Sequence, residues 1–282
     1  VVDDSRESSS ISREITVPAA DVAFIGAGDV AGCAPDFQDE ATAAIVDHYP
    51  TAAVYTVGDN AYPDGSAADF SLCYQPTWGR FKERTNPAPG NHDYHVAKAA
   101  AYFGYFGARA GPSERGYYSY DLGTWHIISL DSEIDASSTS AQAIWLEQDL
   151  ASHPATCTLA YWHKPLFTSG AVHPPEAAMR PLFTILFDAG AEMVISGHNH
   201  QYERFAPQRP DGTADGVAGM RYFVAGTGGA GLYDFATAQP NSEVRYKGHG
   251  VLKLTLGAGR YGWQFLPVEG SSFTDSGSGE CR

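Results

Sequence analysis

The sequence predicts an α/β (α+β) sandwich, two packed mixed β-sheets flanked by helices, in a single domain. Three observations predict it. Apolar runs at Asp21–Ala27 and Ala52–Val57 end in polar loops and are separated by a helical pattern from about Asp36 to His48, the order of a parallel crossover unit. The same rhythm returns with a strand at Thr158–Trp162, a helix at about Pro175–Ala189 and a strand at Glu192–Ser196. Beyond Arg221 the chain turns strand-rich, which implies a second sheet packed on the first.

Taken in order, the elements carry the following signals. Residues Tyr117–Leu122 and Trp125–Leu130 flank Gly123-Thr124 and read as a hairpin. An amphipathic helix is expected over Ala141–Ser152, with Ile144, Trp145 and Leu146 facing inward and Glu147 and Asp149 outward. Gly226–Gly231 is glycine-rich but lacks the strand and helix context of a dinucleotide site, so it reads as a loop. Strands follow at Arg221–Ala225, Gly250–Leu256 and Tyr261–Leu266. The expected organisation is a polar extension over 1–20, the domain over 21–270 and a Ser/Gly-rich tail over 271–282, flexible unless Cys281 anchors it.

Length and charge narrow the function classes. The 282 residues include 33 acidic and 18 basic side chains, a formal charge of −15. A chain this long buries roughly 75% of its unfolded surface. It needs no metal to hold a core, so a metal site in it is expected to serve function. The acidic balance and the lack of a lysine or arginine run disfavour duplex nucleic acid. No run of about 18 apolar residues suits a bilayer, so no membrane partner is expected. A polar, serine-rich start at Val1 fits a chain freed of a signal peptide, or a trimmed one, and a secreted or periplasmic location is expected. Cys33, Cys73, Cys157 and Cys281 form no Cys-x-x-Cys pair. Two disulfides suit them, and of three connectivities Cys33–Cys73 with Cys157–Cys281 is favoured because the first pair lies just beyond two consecutive strands; four buried thiols are the alternative.

Five loops, each after a strand or extended segment, carry candidate metal ligands: Asp29; Asp59 with Tyr62; Asn91 with His92; His163; and His198 with His200. One such aspartate is ordinarily a cap or turn residue, and one such histidine is ordinarily structural. Five loops together are hard to explain as caps. Carboxylate, imidazole, amide and phenol suit first-row ions such as iron, zinc or manganese, and no cysteine belongs to the set.

These pieces resemble the calcineurin-like metallophosphoesterases and, within them, the purple acid phosphatases. The matching motifs are Gly28-Asp29, Gly58-Asp59-Asn60-Ala61-Tyr62, Gly90-Asn91-His92-Asp93, Trp162-His163 and Gly197-His198-Asn199-His200, in family order over Asp29–His200. The resemblance implies a four-layer metallophosphoesterase sandwich and a dinuclear centre. By that likeness Fe(III) is held by Asp29, Asp59, Tyr62 and His200, and a divalent ion (Fe, Zn or Mn) by Asp59, Asn91, His163 and His198, with Asp59 as the bridge. Ala31 cannot coordinate where many diesterases of the family carry histidine; Tyr62 supplies the missing ligand, and its phenolate implies a trivalent ion with charge-transfer colour. The implied reaction is hydrolysis of phosphate monoesters by metal-bound hydroxide, with small phosphate esters and inorganic phosphate as ligands. A phosphodiesterase or nucleotide pyrophosphatase using the same metals is the alternative, and a metal-binding or interaction protein without catalysis is a third reading. A monomer is favoured.

The resemblance also implies that His92 contacts the phosphoryl group or protonates the leaving oxygen, with Asp93 orienting an imidazole and His173 on the substrate side. Val172 stands where larger relatives carry a second histidine, which moves the expected pH profile toward neutral. His95 stands evenly between a substrate-side group and an exposed loop residue. Arg204 and Arg209 read better as solvated arginines than as substrate contacts. Aromatics in the surrounding loops, including Tyr74, Trp78, Tyr102 and Phe106, are expected to pack in the core. The segment Arg84–Pro89 replaces a hydrophobic strand of the family and is expected to be short or irregular, and the chain resembles the small form without an N-terminal β domain.

Overall fold

A computed structural model describes residues 20–282, so the polar extension expected over 1–20 lies outside them save for its last residue. Strands β1 (Val22–Ala27) and β3 (Ala53–Val57) run parallel, Phe24 opposite Ala53 and Ala27 opposite Thr56. Helix α1 (Asp39–Asp47) makes the crossover and buries Asp39, Thr42, Ala43 and Val46, a helical spacing, against the sheet. Beyond these strands β2 (Ala31–Gly32) and β4 (Ala61–Tyr62) form a two-residue parallel ladder that ties the two following loops together. After α2 (Ala67–Asp69), a single turn capped by Ser66, comes β5 (Thr85–Ala88), parallel to β3. The Arg84–Pro89 segment thus forms a short strand. It lies at the sheet edge, where a proline forfeits no ladder bond. There the Pro87 carbonyl accepts the hydroxyls of Tyr102, on α3 (Ala100–Phe106), and of Tyr118.

The second sheet starts with the hairpin β6 (Tyr118–Leu122) and β7 (Trp125–Ser129). Helix α4 (Ala141–Ser152) leads to β8 (Cys157–Tyr161), and α5 (Arg180–Asp188) to β9 (Met193–Ser196); β7, β8 and β9 are parallel. Strands β10 (Tyr202–Gln208), β11 (Met220–Ala225) and β12 (Ser242–Tyr246) complete seven strands in the order β12-β10-β11-β9-β8-β7-β6. The chain then returns to the first sheet with β13 (Gly250–Gly257), β14 (Arg260–Pro267) and β15 (Asp275–Glu280), giving β15-β14-β13-β1-β3-β5.

Alternation along each strand builds the four layers. Phe24, Tyr55, Ile127, Leu159 and Phe223 fill the space between the sheets, while their neighbours Ile25 and Val54 pack outward with Phe70, Trp78 and Phe106. On the other outer face Ile128 and Val194 meet Leu146 of α4 and Leu182 and Phe183 of α5. Each such fully buried side chain contributes about 1.5–3 kcal/mol.

Helix α4 presents a different face from the one expected. Ile144 is 47% exposed, whereas Ala143, Leu146 and Asp149 are buried. A polar partner beneath the helix is the reason. Asp149 accepts from Ser119 Oγ at 2.7 Å and lies 2.8 Å from His126 Nε2, and the other nitrogen of His126 meets Asp121 at 2.9 Å. Burial opposes a charge on His126, but the two carboxylates outweigh it and leave its pKa above the ordinary value. Burial likewise opposes charge on Asp149, yet the bonds from His126 and Ser119 leave its pKa lowered. The His126 contribution is therefore complete below about 6.5 and lost as pH rises through its raised folded pKa; the Asp149 contribution is lost as pH falls through its lowered one. As pH rises from about 6.5 through the raised pKa of His126, the parent protein is expected to lose more stability than His126→Gln, read as a steeper fall of Tm with pH. Parallel Tm curves for the two proteins would contradict this.

The four cysteines form the disulfides Cys33–Cys73 and Cys157–Cys281. The Ser/Gly-rich segment 271–282 is accordingly anchored, and β15 within it pairs along β14 from Phe265↔Asp275 to Arg260↔Glu280. Its glycines permit this. A Cβ at Gly277 would overlap the Trp263 ring and one at Gly279 the Tyr261 ring, so two large aromatics lie across the bare backbone of the edge strand. No helix among the described residues is long and apolar enough to cross a membrane.

Candidate metal centre

Parallel strands end at the same edge of a sheet, and the five candidate loops leave the carboxyl ends of β1, β3, β5, β8 and β9. Stacking the sheets brings both sets of ends together. The loops are zipped by their backbones: Asp29 N–H donates to Gly58 O, Val30 to Asp59 O and Ala31 to Asn60 O, at 2.9–3.1 Å. Asp29, Asp59 and His198 each adopt the left-handed region, with φ of 59°, 50° and 68°. Such backbone strain, of order 1–3 kcal/mol per residue, persists only where neighbours impose it. Here Asp29 Oδ2 accepts from His198 N–H and Asp59 Oδ1 from His92 N–H, both at 2.8 Å.

Two donor sets result. Tyr62 Oη lies 3.1 Å from Asp29 Oδ1, 3.0 Å from Asp59 Oδ2 and 3.2 Å from His200 Nε2. His163 Nε2 lies 3.2 Å from the same Asp59 oxygen, 3.1 Å from Asn91 Oδ1 and 3.1 Å from His198 Nδ1. Asp59 thus belongs to both. Donor atoms about 2.1 Å from one cation stand roughly 3.0–3.4 Å apart, so these separations fit cation binding. The chemistry fits as well: Asp29 and Asp59 are almost fully buried and need compensating positive charge.

Backbone carbonyls select the ring nitrogens. His163 Nδ1–H donates to Val57 O at 2.8 Å and His200 Nδ1–H to Gly231 O at 2.6 Å, leaving both Nε2 lone pairs facing the cluster. Among the protein groups alone, burial would lower the His163 pKa, but the Asp59 carboxylate dominates and pushes it up to about 10. His198 is lowered to about 2 by burial and by the neighbouring His163 charge. Burial, with Asp29 and Asp59, holds the Tyr62 phenol well above its ordinary value. A bound cation would favour the deprotonated form of all three, opposing the upward shifts of His163 and Tyr62 and reinforcing the downward shift of His198.

The structure therefore brings Asp29, Asp59, Tyr62, Asn91, His163, His198 and His200 into one cluster. His92 borders it, its Nε2 3.9 Å from Asp59 Oδ2 and its ring 4.4 Å from that of Tyr62. His173 stacks on His198 at 3.9 Å between centroids. Asp93 is placed otherwise than expected: rather than orienting an imidazole, its carboxylate accepts from Gly90 N–H, Asn60 N–H and Asn60 Nδ2, holding two of the candidate loops together. Burial, followed by the Asp59 charge, raises its pKa to about 7. Arg204 pairs with Asp275 and Glu243, and Arg209 with Asp215, so both arginines are engaged in ion pairs. Tyr233 and Asn199 were missed. Tyr233 stacks on His200 at 4.0 Å, and Asn199 clamps the His173 backbone, its Oδ1 accepting from N–H and its Nδ2 donating to C=O. The signal for Tyr233 was the glycine-rich loop: Gly228 N–H donates to Gly28 O and Ala230 N–H to Asp29 O, so this loop closes over Asp29, the first candidate ligand.

The profile of the calcineurin-like phosphoesterase family matches residues 23–202, which include every residue of the two donor sets. The chain belongs to this family. Among its relatives, purple acid phosphatase 15 of Arabidopsis thaliana is 29% identical over 212 residues, covering 62% of this chain and 40% of that protein. The chain thus spans well under two thirds of that relative's length. A purple acid phosphatase from yellow lupin seeds superposes with a TM-score of 0.76 at 20% identity, over 92% of this chain and 54% of that one. GAP50, the anchor in the inner membrane complex of Plasmodium, superposes with 0.68 at 13% identity, over 93% and 90%. Both likenesses establish the metallophosphoesterase fold of the family member described here. A fold shared by a phosphatase and an anchor does not decide activity; the side chains of the site do.

Proposed function

We propose that the chain is a metal-dependent phosphatase that hydrolyses phosphate monoesters at a dinuclear centre bridged by Asp59. The observation that carries this reading is the Asp59 Oδ2 atom, 3.0 Å from Tyr62 Oη on one side and 3.2 Å from His163 Nε2 on the other. Asp29, Tyr62 and His200 would complete the site for Fe(III), and Asn91, His163 and His198 that for a divalent Fe, Zn or Mn ion. Two cations held this way polarise a phosphoryl group and acidify water toward neutral pH. The remaining work falls to the chain's own residues. His92 directs Nδ1 to the Pro63 carbonyl, which frees Nε2 to hydrogen-bond a phosphoryl oxygen or pass a proton to the leaving oxygen. His173, held by Asn199, stands against His198 and beside Tyr233.

The purple acid phosphatase names of the relatives support the monoester reading, and the disulfides support an oxidising, extracytoplasmic setting. Metal analysis with a visible spectrum tests the centre. Two ions per chain are expected, one of them iron, with a broad visible band that disappears in Tyr62→Phe; a colourless active protein holding only zinc or manganese would overturn the iron assignment. Substrate class is tested by comparing p-nitrophenyl phosphate with bis-p-nitrophenyl phosphate. Faster diester turnover would replace the monoester reading by the phosphodiesterase one.

A further inference from the structure

His92 borders the two donor sets, and its ring is held from several directions. Nδ1 faces the Pro63 carbonyl, one side lies against Tyr62, and another lies against His95 at 4.7 Å between centroids. His95 has contacts of its own. Its N–H donates to His92 O at 3.2 Å, closing the turn that carries both rings, and its Nδ1 lies 3.2 Å from Asp64 Oδ1. Asp64 follows the Tyr62-Pro63 segment, so the His95–Asp64 contact ties the loop after β3 to the loop after β5 at the edge of the ligand cluster.

The chain beyond His95 is constrained as well. Lys98 and Ala99 both adopt left-handed backbone, with φ of 57° and 48°, which alanine and lysine tolerate only when neighbours impose it. Ala99 is fully buried in the outer core, and Lys98 pairs with Glu114 at 3.1 Å. The position of His95 is therefore set from both directions along the chain, although its side chain is 48% exposed and its removal would leave no buried cavity.

We propose that His95, held by Asp64, is a positioning residue that seats the His92 ring over the bound ester. The proposal rests on the phosphatase reading above. A misaligned His92 costs most when the leaving oxygen needs a proton and least when it departs readily as an anion, so the signature is a leaving-group dependence rather than a uniform loss.

The test uses the metal-loaded enzyme with glycerol 2-phosphate and p-nitrophenyl phosphate. His95→Ala is expected to keep both ions, to lose about ten-fold or more in kcat on the alkyl ester, and to lose about three-fold or less on the aryl ester. Asp64→Asn is expected to show a smaller loss with the same bias. His95→Phe, which retains a ring against His92, is expected to recover most of the alkyl-ester rate. An equal loss on both esters, or no loss, would overturn the proposal. Should His95→Ala fail to fold, Asp64→Asn carries the test, and an unchanged ratio of the two rates would overturn it. A metal-loaded parent enzyme inert toward both esters would instead overturn the phosphatase reading on which the proposal depends.

Discussion

Asp59→Asn is expected to fold, to bind at most one of two metal ions, and to lose phosphoester hydrolysis by about a thousand-fold or more. The fold should survive because Asn has nearly the same volume and its amide oxygen can still accept the 2.8 Å bond from His92 N–H. Burial resists a charge at this position, and His163 beside it is what holds the Asp59 pKa below the usual carboxylate range. Replacing the carboxylate removes that charge from a site where Asp59 is 1% exposed, and the variant's Tm is expected to lie within a few degrees of the metal-depleted parent. Function should not survive. A neutral amide cannot supply the negative charge shared by two cations, and loss of the second cation removes several kcal/mol of transition-state stabilisation, where ~4 kcal/mol is about a thousand-fold. Metal content by elemental analysis and kcat/KM on p-nitrophenyl phosphate decide it. An active variant with two ions would show that Asp59 is not the bridge.

The second large effect concerns stability alone. Replacing Cys157 and Cys281 together by serine should cost about 4 kcal/mol and lower Tm by about 10 °C, because the bond closes a loop of sequence separation 124 and strongly restricts the unfolded chain. The bond also joins the sheets: Cys157 opens β8 in one, and Cys281 follows β15 at the edge of the other. Its place at the start of β8, the strand that ends beside His163, puts it at the far end from the candidate metal ligands. Metal content and kcat at 25 °C should accordingly remain close to the parent's while the thermal transition falls. A Tm unchanged within 2 °C or so would mean that pairing of β15 holds the C-terminus without the covalent link.

Comparing expectation with outcome shows where local pattern suffices. β1, β3, β8 and β9 were legible because each is an apolar run buried over most or all of its length between layers and followed at once by a polar loop. α4 was legible in extent but not in phase. Periodicity assigns aspartate to the solvent face, whereas Asp149 is turned inward by His126, a residue on β7 that no helical window contains. β15 was illegible for a related reason: Asp-Ser-Gly-Ser-Gly-Glu has no strand-forming side chains, and its pairing depends on Tyr261 and Trp263 lying over its glycines.

The site divides in the same way. Every residue of the two donor sets was named from the sequence, because each sits in a short motif whose residue types suit coordination chemistry wherever the fold places them. Asp93 was legible as a neighbour of the candidate site but not in its partners, and Tyr233 and the His95–Asp64 contact were not anticipated at all. The amino-acid sequence by itself determined the candidate donor types, their order along the chain and the strands that carry them. Only the tertiary structure decided that Asp59 faces both donor sets, that Asp93 braces loops instead of an imidazole, and that His95 lies against His92. Ligand identity is a property of single side chains, whereas sharing, bracing and stacking depend on distances between loops that meet only when two sheets pack.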